Sequence, residues 1–470
     1  MPLGDHLNPV AMTRVAVVAP QGELRSVLVE IAAAGVVELE ERSDAEDLVV
    51  IEAIQRLERE DPRLKSKSPA LLRDPPNVAD LESAGRWDLL VGETQLTRRA
   101  GAGLRHRSLV ILVGWAPAGR IKELNGRLES LGSTVVELQR PAWLEPPTLL
   151  PRPRGSGSFR LLVETYGTSS YEDVDPTPFA AFAFVLMFGM MFGDVGDGLL
   201  LILIGVLLRL GRVRRLQSFR RVGGLVLAAG TSAIVFGLLY GEFFGPTHLV
   251  EPLWLTPLQQ PMALLLGGVV VGAGLLMISY LLGTLNRWRE GGMMLALLDS
   301  SGAAGLLAFA GVGALVAGIA FRQQPLVISG GALGIAGLVL IYGGLLLRAE
   351  RGPQGVIEAL VGLFDSVIRL GTSSLSFARL AAFGMVHAAI GLVVWNATMS
   401  LWRPGPLVLL AVLAFVAGHV VAFLLEALVA TVQAMRLEYY ELFSRVFAGE
   451  GRPFSPWRLP VAPALQEVAT

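Results

Sequence analysis

The sequence predicts an α-helical polytopic membrane domain of about eight transmembrane helices, the last two long and tilted, preceded by a small α/β cytoplasmic domain. Three observations carry this expectation. The chain is 53% hydrophobic and only 17% charged, with a mean hydropathy of +0.56, whereas soluble domains run nearer a quarter charged. After Pro178 the apolar runs approach the ~20 residues that cross a bilayer. Basic connections also alternate with nearly uncharged ones along that half of the chain.

Residues 1–174 read as the α/β part. The first twenty residues hold no apolar core long enough for a signal peptide, so this part is expected to stay in the cytoplasm. TRVAVVAP (13–20) has the β-branched content of a buried strand, QGELRSVLVEIAAAG that of a helix, and VVELEE that of a second strand. DAEDLVVIEAIQRLERE continues as acidic helix, followed by a Pro-rich stretch and an amphipathic segment near 78–100. SLVILVGWAP (108–117) and STVVELQRP (133–141) flank the helical AGRIKELNGRLESLG, a second strand, helix, strand unit. Two similar small units separated by short helices are therefore expected, with PRPRGSGS (151–158) as the linker that follows. Neither a phosphate loop, a GxGxxG after a strand nor a catalytic triad is present, so this part binds partners rather than doing chemistry.

Residues 175–470 read as the membrane part, with spans at roughly 179–194, 196–211, 222–240, 259–285, 296–320, 326–348, 355–400 and 406–447. The last two exceed one perpendicular crossing, so they tilt or extend beyond the bilayer. RLGRVRRLQSFRR (209–221), NRWREG (286–291) and RAERG (348–352) are the basic loops, and GEFFGPTHLVEP, FRQQP and WRPGP the nearly uncharged ones. The positive-inside rule puts the basic loops and both termini in the cytoplasm, in agreement with an even span count. A net charge of −1 offers nothing to a nucleic acid, and the absence of cysteine excludes disulfides, thiolate catalysis and a Cys-based metal site.

The polar residues inside the spans carry the chemistry. Arg379 in SFARLAAFGMVH sits about halfway along the seventh span, too far from either end to snorkel. A central arginine costs ~2.5–3.5 kcal/mol on insertion scales and such residues face a bundle interior or an aqueous cavity. It cannot shed its proton. The eighth span carries Glu426 and, ten residues on, Arg436. Glu426 is deep enough to require a partner or water, and an ordinary ion pair between the two spans would satisfy it. Arg436 lies nearer the cytoplasmic end, where snorkelling is the alternative to function. His387, two turns beyond Arg379, titrates near neutral pH but is also a common satisfied core donor. Asp365, 14 residues before Arg379 and ~21 Å away along the axis, lines a cytoplasmic entrance or marks a wet helix end. Among the remaining residues, Asp194 and Asp197 read as turn residues, Glu242, His248 and Glu251 as a solvated external loop, Asp299 as a cap of the fifth span, and Met190, Met191, Met293 and Met294 as packing. No cofactor and no metal is expected.

SFARLAAFGMVHAAIG resembles the penultimate helix of the membrane stator subunit of V-type and A-type rotary ATPases, the subunit a and subunit I family. DPTPF (175–179), FGMMFGDVGDG (188–198), LLYGEFFG (238–245) and EALVATVQAMRLEYYELFSRVFAGEGRPFSPW agree in order, and the likeness extends more faintly to MTRVAVVAP and VILVGWAP. The resemblance implies a multi-pass subunit of a prokaryotic cell membrane that builds two proton half-channels against a rotating proteolipid ring. Arg379, seconded by Arg436, would discharge a ring carboxylate, because an opposite charge within ~4–6 Å lowers a carboxyl pKa by about 1–3 units. Glu426 and His387 would relay protons in the outer half-channel and Asp365 in the cytoplasmic one. The implied partners are the proteolipid ring, peripheral stalk subunits E and G, and the V1/A1 ATPase that carries the nucleotide chemistry. This chain has Asp197 where the family has histidine, and residues 43–105 leave room for only a short helical arm. Two rival readings remain at this point. A secondary transporter predicts internal repeats with broken helices, for which the two halves give no convincing match. A scaffold relative that lost transport would not need Arg379, Glu426 and His387.

Overall fold

A computed structural model describes residues 8–40, 48–60, 67–141, 143–151, 156–211, 214–247, 249–404, 407–447 and 451–462. His248, residues 152–155 of the 151–158 linker and the start of the acidic stretch lie outside the described residues. The chain forms two compact units, Pro9–Pro151 with Gly451–Thr470, and Met1–Asn8 with Arg152–Glu450.

The first unit is built on one antiparallel sheet. Its strands are β1 (Met12–Pro20), β2 (Glu38–Leu39), β3 (Leu104–His106), β4 (Leu109–Pro117) and β5 (Thr134–Leu138), in the order β2-β4-β1-β5 with β3 paired to β4. β1 pairs with β4 from Met12↔Pro117 to Pro20↔Leu109 and with β5 on its other side. The two strand, helix, strand units expected from the sequence are thus one sheet, because their long β-branched first strands complete each other's hydrogen-bond ladder. Helices α1 (Leu24–Ala34) and α5 (Ile121–Glu129) contribute Leu28, Ile31, Ile121 and Leu124 to a core closed from the sheet by Val15, Val17, Leu112 and Ala116. α1 stops at Gly35, whose φ of 58° is left-handed and whose N–H returns to the Ile31 carbonyl at 2.9 Å. Helices α2 (Leu48–Glu60), α3 (Val78–Ser83) and α4 (Trp87–Gly101) form a second core around Leu57, Leu81, Trp87 and Leu90. α4 is the longest helix here at 15 residues, about 22 Å, so among the described residues the arm is short. The sequence division at 174/175 misplaces the C-terminal tail. Trp457 and Leu459 are buried in the sheet unit, and the Trp457 N–H donates to the Val37 carbonyl at 3.0 Å.

The second unit is helical: α6 (Arg160–Tyr166), α7 (Thr177–Met191), α8 (Val195–Leu210), α9 (Gly223–Tyr240), α10 (Pro261–Leu298), α11 (Ala303–Ala320), α12 (Gln324–Arg348), α13 (Pro353–Ser376), α14 (Ala378–Leu401) and α15 (Leu407–Leu437). Among the described residues, six stretches are long and apolar enough to cross a membrane: 223–240, 261–298, 303–320, 324–348, 353–401 and 407–446. The first two expected spans form shorter helices of 15 and 16 residues. Outward-facing Leu203, Val270, Ile335, Leu413 and Leu424 are all more than half exposed, an apolar surface suited to lipid rather than water. The expected seventh span is two helices that meet at Phe377. Phe377 is fully buried, and its ring lies where a side chain on Gly272 of α10 would stand, so the glycine admits the junction.

Two minor expectations fail. Asp299 does not cap the fifth span: Gly302 occupies that position, while Asp299 accepts the Ser301 N–H at 2.8 Å and pairs with Arg348 at 2.9 Å. Buried Met190 and Met191 pack as expected, but Met293 and Met294, beyond the break at Gly291 and Gly292 in α10, are 64% and 60% exposed.

Candidate functional site

α14 and α15 pack side by side and present the polar residues in two groups. The first surrounds the arginines. Arg379 stands in the first turn of α14, just past the Phe377 junction, and its guanidinium donates to Gln433 Oε1 of α15 at 3.4 Å. Arg436 follows one turn below Gln433 and is exposed. Both line a cavity of about 420 Å³ together with Ser376, Leu437, Tyr440 and Glu441. Neither arginine forms an ion pair among the described residues. The cavity lies where α15 gives way to a π-helical stretch, Glu438–Phe443. Such bulges cost hydrogen-bond quality and concentrate at functional sites; this one brings Tyr440 and Glu441 into the cavity.

Tyr440 and Glu441 also line a neighbouring cavity of about 390 Å³, whose walls include the hydroxyls of Ser366, Thr372, Ser373 and Ser444. Asp365 does not line it. Its carboxylate is exposed and pairs along α13 with Arg369 at 2.8 Å, and it is Arg369 that reaches the cavity. The i, i+4 pair with Arg369 holds the Asp365 carboxylate at the surface, so Asp365 itself does not reach the cavity.

The second group is buried. His387, two turns along α14, bonds through Nδ1 to Glu426 Oε2 of α15, with the two side chains 8% and 11% exposed. Its ring lies 5.2 Å from that of Phe192. Nε2 points the other way, to Glu242 Oε2 at 3.9 Å. Glu242 is 4% exposed, so the sequence reading of a solvated loop acid is wrong for it, while Glu251 is exposed as expected. The loop after α9 folds inward because Asp194 ties it down: this carboxylate accepts the Phe244 and Gly245 N–H groups at 2.9 Å each. It also caps α8 by accepting the Asp197 N–H at 3.1 Å. Asp194, Glu242 and His387 offer ligand atoms that all lie within 4.8 Å of one another. Glu426 Oε1, Glu242 Oε2 and Asp197 Oδ1 are buried without a hydrogen-bond partner among the described residues. His419 of α15, buried beside Phe244 and Phe415 at 5.4 and 4.4 Å between ring centres, completes the surroundings.

The structure therefore joins His387 to Glu426 and Arg379 to Arg436, separates Asp365 from both, and adds Glu242, Asp194, Gln433 and Glu441. The one sequence signal that could have drawn attention to Glu242 is weak: an acid between Gly241 and Phe243 in a loop without lysine or arginine.

The model of the V-type ATPase 116 kDa subunit family matches residues 104–261. A-type ATP synthase subunit I of Archaeoglobus fulgidus is 29% identical over 403 residues, covering 74% of this chain and 58% of the relative. That of Pyrococcus horikoshii is 28% identical over 360 residues, covering 74% and 53%. V-type ATP synthase subunit I 2 of Treponema pallidum is 38% identical over a shorter 167 residues, 33% of this chain and 36% of the relative. The chain spans little more than half the length of the archaeal relatives.

Proposed function

The chain belongs to the V-type ATPase 116 kDa subunit family, whose curated relatives are A-type and V-type ATP synthase subunits I, and from that premise we propose that it is the membrane stator subunit of a rotary ATPase. In this reading it crosses a prokaryotic cell membrane eight times, keeps both termini in the cytoplasm, and forms two proton half-channels against a proteolipid ring. Peripheral stalk subunits E and G and the V1/A1 ATPase are its further partners, and coupling runs to ATP hydrolysis or synthesis.

The observation that carries the reading is the cavity with two guanidiniums that this chain leaves without an ion pair among its described residues. A cavity of that kind suits a carboxylate supplied from outside. A ring carboxyl arriving protonated from lipid meets Arg379; the nearby cation favours its ionised form, and the proton leaves to water. The ionised carboxylate then passes Arg379 and takes a proton from the other half-channel. On the outer side that proton travels by Glu426 and His387, which already share a hydrogen bond. On the cytoplasmic side the hydroxyl-lined cavity with Glu441 and Arg369 is the wet path, in place of Asp365. Because guanidinium keeps its proton, no proton crosses directly from one side to the other at Arg379.

Proton uptake by inverted vesicles carrying the reconstituted complex is the test. Arg379→Ala abolishes ATP-driven uptake while the complex still assembles. Arg379→Lys is also badly impaired, since a compact ammonium lacks the planar fork and can deprotonate in an apolar site. Normal pumping by assembled Arg379→Ala complexes would refute the proposal and favour a scaffold.

A further inference from the structure

We propose that His387, Glu242 and Asp194 form a binding site for a divalent transition metal of the Zn2+ class. The three donors come from α14, the loop after α9 and the residue preceding α8, so no local sequence motif announces them. Several features point to a ligand. Glu242 Oε2 is buried with no hydrogen-bond partner among the described residues, on a side chain only 5% exposed, and it faces His387 Nε2 at 3.9 Å. His387 Nδ1 is occupied by Glu426, which fixes the ring and leaves Nε2 as the free donor. A carboxylate, an imidazole and then a metal is the arrangement by which proteins orient a ligating histidine. Asp194 is held equally firmly, its oxygens accepting three backbone N–H groups while lone pairs remain.

The chemistry of the donor set selects the metal. One imidazole and two carboxylates suit zinc, which takes three protein ligands and a water in open sites. Calcium and magnesium want six or more oxygens or several retained waters, and imidazole serves them poorly. Tetrahedral bonds of about 2.0–2.2 Å place ligand atoms roughly 3.3–3.6 Å apart. The present set lies within 4.8 Å, so side-chain shifts of about an ångström close it. The electrostatics favour a cation as well. Asp194, Asp197, Glu242 and Glu426 crowd one imidazole in a buried space, and like charges there cost heavily unless protons or a metal neutralise them.

A metal on Nε2 and Glu242 occupies the groups that would otherwise pass protons to Glu426. Zinc on the outer side therefore blocks transport, a consequence that rests on the outer half-channel reading while the site itself does not. The full chain, purified in detergent without a histidine tag and stripped with a chelator, is titrated with Co2+ alone and followed by its visible absorption. The expected result is one Co2+ per chain in a tetrahedral-type spectrum, displaced by Zn2+. Glu242→Gln, which preserves shape, removes the stoichiometric Co2+, and Glu426→Gln weakens it by about 10–100-fold. Absence of stoichiometric Co2+, or binding unchanged in Glu242→Gln, overturns the proposal in favour of a proton-sharing cluster. Zinc binding that leaves proton uptake untouched keeps the site and refutes the outer half-channel.

Discussion

Replacing one or both members of the His387–Glu426 pair tests the most deeply placed interaction of the site. Their side chains are 8% and 11% exposed, and Glu426 Oε1 has no hydrogen-bond partner among the described residues. His387→Leu therefore strands a buried carboxylate. Breaking a buried pair from one side costs about 3–5 kcal/mol. Glu426→Gln leaves an amide oxygen to accept from the ring and loses only the charge. Hydrogen bonds to charged groups contribute ~1.5–3 kcal/mol against ~1 for neutral ones, so this change costs about 1–2 kcal/mol. His387→Leu with Glu426→Leu removes both polar groups and is expected to be less damaging than His387→Leu alone. The double-mutant cycle should give a coupling of about 2 kcal/mol or more, roughly 30-fold in an equilibrium. Thermal unfolding in mild detergent ranks the variants, and reversible denaturant titration supplies the energies. Additive single effects, or a double variant worse than His387→Leu, would refute the argument that the imidazole is what makes the buried carboxylate tolerable.

Burial, and after it the neighbouring Glu290 carboxylate, push the Asp173 carboxyl up to about 7, against the opposing pull of Arg287. The native state then holds a proton that the unfolded chain releases above about 3.9, so this group's contribution is lost as pH rises towards 7. The unfolding midpoint should fall from pH 5 to pH 8, with a smaller fall in Asp173→Asn; an equal fall in both counts against the assignment. Gly272→Leu pushes a side chain into Phe377, at a cost of about 1–3 kcal/mol, and should lower transport by moving Arg379. Unimpaired transport would detach the junction from the site. For the topology, cysteines in this Cys-free chain at Leu249 and Arg403 should label from outside, and at Trp288 and Arg351 only after permeabilisation. The reverse pattern would invert the orientation.

The strands and helices were legible where one signal dominated. β1 and β4 are β-branched runs, and α9, α11 and α12 are apolar over their whole length. Their pairing was not legible. Nothing local in MTRVAVVAP says that its partner is VILVGWAP some ninety residues on, because register is set by contacts that exist only after folding. β2, at two residues, is defined by its partner rather than by its own sequence. Within the site, Arg379, His387, Glu426 and Arg436 stood out because charge inside an apolar run is costly. Glu242 did not, since a glycine-rich loop reads as solvated and only the Asp194 tether to Phe244 and Gly245 turns it inward. Asp365 is the converse case. Its register on the helix was right, yet a local arginine four residues on satisfied it at the surface.

Under the proposed mechanism the two arginines differ in a way that would give them different parts. A carboxylate ~4 Å from a guanidinium is stabilised by about 4 kcal/mol where the effective dielectric is ~20, and by about 1 kcal/mol in bulk water. A mobile carboxylate must be discharged and then let go, so a value near the upper figure deprotonates it while a much larger one would trap it. Arg379 is half-buried, with Gln433 as its partner, and sits where the dielectric is lower. Arg436 lines the same cavity and is the more exposed of the two. In the proposed mechanism the more buried Arg379 would supply most of the discharge, and the more exposed Arg436 would raise the positive potential along the approach. Arg436→Ala should accordingly slow proton uptake without abolishing it, by about tenfold for each 1.4 kcal/mol it contributed. Lys at 436 should restore much of the loss, because an exposed site asks only for a charge, whereas Lys at 379 should not. If Arg436→Lys were as inactive as Arg379→Lys, the two guanidiniums would share one geometric role, and the division by burial would fall.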